Sequence, residues 1–345
     1  MSSRPEARAG SSTALTLADR LNGALLGLAL GDALGFVVEA APPEQASSYV
    51  QDWLLVGRAA EWAHPDFPFG QYSDDTQLAR ALLLGVRDAG GWDPAAFARR
   101  VAELFRDGRD VGAGPGTRAA AHRLLAGVEW ESAGTPPPYA GNGSAMRVAP
   151  LGVLFQGDWG MLRSAAASQS RVTHLDPRCA GASVAVAGAA ALAARPGALD
   201  PRMLLEELAE LVALESAEVA AVVRGLDAWV SLPPAEAAVR LRASGLDPGH
   251  VDPWRGISSF VVPSLAWSLY AFLHSPDDYW TTVCTAIAVG GDTDTMAAMT
   301  GGIAGARAGV GALPLGLLQR LNDRGEWDAT QLGALASECA SLVAG

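Results

Sequence analysis

The sequence contains no lysine, so all 25 of its cationic side chains are arginine. That removes a P-loop lysine, a Schiff-base lysine and any other lysine-dependent chemistry. Cysteine is scarce as well. Cys179, Cys284 and Cys339 are widely separated, odd in number and without metal-ligand spacing, which predicts reduced thiols in an intracellular protein. Positive charge is in deficit: a net charge of −12 argues against general nucleic-acid binding and against an anionic membrane surface. Long apolar runs are also missing. The longest uncharged stretch, Gly256–Pro276, is interrupted by Pro263 and several serines, and its apolar centre Phe260–Leu273 is too short to span a bilayer and reads as a buried core helix. No secretory signal precedes these segments. Residues 1–14 carry Arg4 and Arg8 among Ser, Gly and Ala with no apolar region behind them, so a flexible tail ahead of one soluble, cytoplasmic domain over 15–345 is expected.

Period-two alternation never persists long enough for a sheet, whereas helical spacing recurs almost everywhere. Asp93-Pro94 is expected to open Ala95–Phe105 and Asp200-Pro201 to open Arg202–Ala213. Ser275-Pro276-Asp277-Asp278 should start a segment reaching Ala286. Gly/Pro-rich breaks at Val111–Gly116, Gly134–Gly143 and Arg195–Gly197 are too short to be domain linkers. With 50% hydrophobic residues to bury, the expectation is an all-α single domain. Its first helix carries Gly27, Gly31 and Gly35, a spacing of four that lets another helix or a ligand approach closely; Asp32, between them, reads as structural.

What is present most conspicuously is acid in apolar surroundings. Ala288–Gly309 is rich in Ala and Gly yet places Asp292, Thr293, Asp294 and Thr295 in succession at an expected helix start. One carboxylate there serves capping; two crowd like charges unless a cation lies between them. The same grammar recurs in Ser73-Asp74-Asp75-Thr76, ahead of the helical stretch Leu78–Val86. If the two clusters face each other, their oxygen-only donors suit two divalent cations, Mg²⁺, Mn²⁺ or Ca²⁺ in preference to zinc. Elaborate capping is the alternative. Glu39 is the first acid after the uncharged segment Ala33–Val38, where partial burial would raise its pKa toward a range useful for proton transfer.

Two glycine-rich turns add backbone that a ligand can approach. Gly112, Gly114, Gly116 and Thr117 precede a helix containing Ala119–Leu125, whose N–H groups can receive a phosphate. Gly141, Asn142, Gly143, Ser144 and Met146 form the second, with a helix expected after Ser144. The tryptophans, Trp254 among them, read as core or surface anchors.

Taken in order, Gly31-Asp32-Ala33-Leu34-Gly35 followed by Glu39, Ser73-Asp74-Asp75-Thr76, Gly141–Arg147 and Gly290-Gly291-Asp292-Thr293-Asp294-Thr295 resemble the ADP-ribosylglycohydrolases, including the dinitrogenase reductase-activating glycohydrolase and the ADP-ribosyl-arginine and ADP-ribosyl-serine hydrolases. The resemblance spans roughly residues 20–310 and implies a compact helical fold with a central binuclear metal cleft. It implies that Ser73, Asp74, Asp75, Asp292, Asp294 and Thr295 hold the ions and that Glu39 lies beside them. The Gly112–Thr117 turn, in which Pro115 is a local peculiarity, would bind the diphosphate, and His174 would line the ADP-ribose cleft. The substrate is then an ADP-ribosylated protein or small molecule and the product ADP-ribose. A water attacks C1″ as the glycosidic bond breaks, with Glu39 or Asp75 handling the proton. Acidic residues in two further loops, Glu61 and Asp66 in the first and Asp247 and Asp252 in the second, favour a guanidinium acceptor and hence arginine over serine. Two other classes stand beside this reading. Asp292-Thr293-Asp294 superficially matches an aspartyl-phosphatase Asp-x-Asp, against which the helical flanks and absent lysine count, and a relative of the same fold without turnover would serve only to bind.

Overall fold

Thr16 starts the first helix, Leu17–Phe36, through a reciprocal cap: its hydroxyl accepts from Asp19 N, and the Asp19 carboxylate accepts from Thr16 N. In this computed structural model the described residues are 14–246 and 253–344; the expected tail, residue 14 apart, lies outside them, as do Asp247 and Asp252. Among the described residues the architecture is all-α. Strand pairing is limited to isolated bridges such as Ile257 with Gly291, and no helix is long and apolar enough to cross a membrane.

Two helices that are apolar on every side form the centre, as such helices must in order to leave water. Every residue from Gly23 to Phe36 is buried, and so is every residue from Thr293 to Ala306 in the helix Thr293–Ala308. They run antiparallel along a seam of small residues. A Cβ on Gly23, Gly27, Gly31 or Gly35 would come within 2.4 Å of the carbonyl oxygen of Gly305, Gly301, Ala297 or Thr293 respectively, so backbone packs on backbone. The expected spacing of four is therefore the contact surface. Thr293 Oγ1 also donates to Gly35 O at 2.8 Å, fixing the end of the seam where both acidic stretches lie.

Around this pair pack Pro177–Ala193 and Val261–His274, the latter the expected core helix, and Tyr279–Ala288. Asp93 and Asp200 cap Pro94–Arg106 and Pro201–Val212 with proline in the first turn, as their sequences dictate. Ser275–Asp278 departs from expectation. Asp278 N donates to Ser275 O at 3.1 Å, so these four residues form a turn with Pro276 at its second position. Asp278 rather than Ser275 caps the helix that begins at Tyr279. The three cysteines are free and buried.

Candidate active site

The start of the Thr293 helix is held by a turn that only glycine fits comfortably. Gly290 and Gly291 have φ of 70° and 89°, and a Cβ on Gly291 would lie 2.1 Å from Ile257 O. Gly291 exchanges hydrogen bonds with Ala40 N and Ala41 O at 2.8 and 2.9 Å, while Asp292 N donates to Ile257 O at 2.8 Å. This clamp sets Glu39 beside Asp292. Asp292 occupies the N-cap position but makes no side-chain cap; its carboxylate instead accepts from Asn142 Nδ2 at 2.6 Å.

The Asp74–Ala89 helix is anchored by Asp32. Asp32 Oδ1 accepts from Ser73 N at 2.9 Å, and its Oδ2 accepts from Thr76 N at 3.0 Å and Thr76 Oγ1 at 2.5 Å. The expected structural role of Asp32 is thus visible as a cap supplied by a different helix. Ser73 caps locally, its hydroxyl accepting from Asp75 N and donating to Asp75 Oδ2 at 2.9 Å.

The two acidic starts meet. Oxygens of Asp32, Asp75 and Asp294 lie within 4.8 Å of one another, as do oxygens of Glu39, Asp292 and Asp294. Three buried carboxylate oxygens, Asp74 Oδ2, Asp75 Oδ1 and Asp294 Oδ1, have no hydrogen-bond partner. Burial, reinforced by neighbouring carboxylates, raises the pKa of Asp74, Asp75 and Asp294 well above the ordinary carboxylate range. Burial likewise raises Asp292, pushes Asp32 to about 6 and, with the charges of Asp292 and Asp32, pushes Glu39 to about 7. Orphaned buried oxygens on crowded carboxylates are the donor set of a hard divalent cation, and the residues present fit one.

A cleft of about 280 Å³ opens onto these acids. Glu39, Asp74, Asp75, Asp292, Asp294 and Thr295 line its acidic end. Gly112, Gly114 and Thr117 line one wall; Gly141, Asn142, Gly143, Met146 and His174 line another. Pro115 is the first residue of the helix Pro115–Leu125, where its missing N–H costs nothing, and Gly114 leaves the cap position without a side chain. The Gly112 turn is tied to the Asp74 helix, since Asp74 N donates to Val111 O at 2.7 Å and Val111 N to Gln77 Oε1 at 3.0 Å. A larger apolar cavity, about 660 Å³, lies behind the Gly291 turn between the helices Pro43–Tyr49, Pro234–Leu241 and Tyr279–Ala288. Among the described residues Glu44 is the one carboxylate lining it, whereas five carboxylates line the smaller cleft.

Three expected residues do not line the cleft. Ser73 spends its hydroxyl on Asp75, and Gly116 backs onto the Tyr139 ring. Ser144 is turned into the core against Ser170, Ser183 and Cys179 O. The helix expected after Ser144 is corrected to a 3₁₀ turn over Asn142–Ser144, the next helix being Ala149–Leu154. In the first acceptor loop Glu61 is exposed and paired with Arg58 at 2.6 Å; neither it nor the exposed Asp66 lines the cleft. Tyr139, Ser259 and Trp254 do, so Trp254 is a cleft residue rather than only an anchor. Tyr139 had a readable signal, an aromatic between a proline run and the Gly141 turn. Arg147 closes the Gly141–Arg147 motif, but its role was not readable there: it is fully buried, bonded to Gly143 O, Gln169 and Thr173, and depends on partners distant in sequence.

The chain is similar to known proteins over most of its length. The family model described as ADP-ribosylglycohydrolase matches residues 13–344. The ADP-ribosylarginine hydrolase Tri1 of Pseudomonas putida is 28% identical over 86% of this chain and 72% of its own length. The ADP-ribosyl-[dinitrogen reductase] glycohydrolase of Rhodospirillum rubrum is 28% identical over 88% of this chain and 90% of its own. A solved structure titled ADP-ribosylglycohydrolase-related protein complex superposes with a TM-score of 0.69 at 28% identity, covering 95% of this chain and 99% of that one.

Proposed function

The chain belongs to the ADP-ribosylglycohydrolase family, whose members hydrolyse glycosidic bonds of ADP-ribose with divalent metals, and on that premise we propose that it releases ADP-ribose from ADP-ribosylated arginine. One observation carries the hydrolase reading. The acidic starts of two helices converge at the end of a cleft whose walls are glycine-rich turns, and three of their buried oxygens have no hydrogen-bond partner.

Asp74, Asp75, Asp292, Asp294 and Thr295 would hold two ions, Mg²⁺ or Mn²⁺, while Ser73, its hydroxyl engaged by Asp75, would orient that ligand rather than bind. Bound there, such ions supply positive charge that orients ribose hydroxyls and acidifies water. The remaining work falls to the chain. Of the two candidates for the proton, Glu39 is favoured. It is only partly buried and reaches the cleft, whereas Asp75 is buried and engaged by Ser73 and by Thr295 at 3.5 Å. Glu39 takes the proton of the water that attacks C1″ as the C1″–N bond breaks through an oxocarbenium-like state; the departing guanidine nitrogen keeps the bonding pair and then takes up that proton, which returns Glu39 to its carboxylate form. The Gly112–Thr117 and Gly141–Met146 turns hold the ADP half, contributing binding energy away from the reacting carbon.

The arginine choice leans on the activity named for the Pseudomonas putida relative, because Glu61 is already paired and the two acids of the second loop, Asp247 and Asp252, lie outside the described residues. The deciding measurement is release of free ADP-ribose by purified protein from arginine-linked and serine-linked peptides, with Mg²⁺, with Mn²⁺ and with chelator. Faster release from serine overturns the acceptor; no release from any linkage overturns turnover itself.

A further inference from the structure

Arg147 is a fully buried cation within electrostatic reach of Asp74 and Asp75, yet it pairs with neither. Its Nε donates to Gln169 Oε1 at 2.8 Å, its Nη1 to Gly143 O at 2.9 Å, and its Nη2 to Gln169 O at 3.0 Å and Thr173 Oγ1 at 2.8 Å. A guanidinium has no acceptor, so the Thr173 oxygen must be the acceptor in that last bond. The same oxygen lies 2.9 Å from His174 Nδ1. The single hydroxyl hydrogen of Thr173 therefore has the ring nitrogen as its available polar partner, which makes Nδ1 an acceptor and leaves the ring proton on Nε2.

We propose that Arg147 and Thr173 are positioning residues that lock His174 into its Nε2–H form, so that the cleft presents a fixed, neutral donor to a ligand oxygen. The direction follows from the surroundings. A Cβ built on Gly143 would meet Thr117 Oγ1 at 2.9 Å, His174 Cε1 at 3.0 Å and Nε2 at 3.5 Å, so the Cε1–Nε2 edge faces the point where the two glycine turns meet. Tyr139 stacks on the imidazole at 5.8 Å, restricting its rotation. Burial and the Arg147 charge depress the His174 pKa to about 3, so the ring stays neutral over the whole working pH range. A phosphate would ordinarily draw a proton onto a histidine beside it. Here the buried guanidinium opposes that, and the contact is a hydrogen bond rather than an ion pair. Arg147 also holds Gly143 O, so one side chain sets both the donor and the turn beside it.

The ligand class, phosphoryl or ribose oxygens of ADP-ribose, rests on the proposed function; the tautomer does not. The test therefore has two arms. Imidazole ¹⁵N resonances of the ligand-free protein, assigned through a His174→Gln variant, should show His174 with Nδ1 unprotonated and Nε2 protonated. In Thr173→Val, which is nearly isosteric and leaves Arg147 its Gln169 bonds, the spectrum should move toward a mixture of tautomers, while Thr173→Ser keeps the wild-type pattern. Calorimetry with ADP-ribose should show Kd rising about tenfold in Thr173→Val, the loss of one oriented hydrogen bond, and little change in Thr173→Ser. An Nδ1–H ring in the wild-type protein, or a Thr173→Val protein with unchanged tautomer and affinity, overturns the relay. If Thr173→Val does not fold, the wild-type spectrum and the Thr173→Ser comparison still decide. A wild-type protein that fails to bind ADP-ribose overturns the proposed function, with the tautomer result standing on its own.

Discussion

Among the cleft carboxyls Glu39 alone is partly exposed, and it is the one whose raised pKa, about 7, leaves it free to exchange a proton near neutrality. Glu39→Gln keeps size and hydrogen bonding but removes ionisation, so turnover should fall by roughly 10²–10⁴ with ADP-ribose affinity largely kept. Single-turnover rates and calorimetry check this, and full turnover across pH would make Glu39 structural. The same titrations bear on the cation. Groups protonated near neutrality must lose those protons to bind it, so divalent-ion affinity should weaken as pH falls below about 7, with proton release on binding. Calorimetry in buffers of different ionisation enthalpy measures that release. In metal-free protein the sign for stability is the reverse of the usual acid case. Asp32 and Glu39 have folded pKa values of about 6 and 7, above their ordinary 3.8 and 4.5. Their contribution is full below the ordinary values and is lost as pH rises through the folded ones. His174 opposes this, its contribution fading as pH falls from 6.5 toward about 3, but the six raised carboxyls outnumber it. Chemical denaturation of metal-free protein should thus show higher stability at pH 6.5 than at pH 8, roughly flanking the Glu39 value.

At the level of helices, the seam between Leu17–Phe36 and Thr293–Ala308 carries the site. Gly31→Ala would place its Cβ 2.1 Å from Ala297 O, against backbone that cannot step aside. The helices must separate, and a loss of about 1–3 kcal/mol is expected despite alanine's better helix propensity. Gly225→Ala, with nothing within 4 Å of its new methyl, should instead gain a few tenths to about 1 kcal/mol. Denaturation curves of the pair check the contrast, and equal effects would mean the seam is slack. Much of this level was legible. Asp-Pro starts, the glycines at intervals of four and two hydroxyl-plus-acid helix starts are local patterns, and local chemistry decides them. Ser275–Asp278 was not, because Ser-Pro-Asp-Asp is equally good as a turn or a helix start and packing chose the turn. Ser144 and Arg147 were illegible for a related reason: the same Gly-rich motif sends Asn142 into the cleft and Ser144 into the core, and only the surrounding helices distinguish the two.

For the molecule as a whole, crowding five buried acids and the partly exposed Glu39 without a paired cation makes the metal-free state strained, and bound ions should act as structural ligands. At a hundredfold excess over Kd each site should add about 2.7 kcal/mol, read as a rise in Tm on titrating Mg²⁺ or Mn²⁺ and a fall on chelation. An unchanged Tm would separate the cleft from the ions. The seam has a further consequence, for synthesis. Gly35 and Thr293 are 258 positions apart, so a chain leaving the ribosome N-terminus first exposes the helix Leu17–Phe36 long before the glycine seam that packs against it exists. At about 5–20 residues per second the interval is roughly 10–50 s. During that time Glu39, Asp74 and Asp75 are ordinary solvated acids, and the nascent chain has neither a cation site nor a finished core; both arrive together with its final segment.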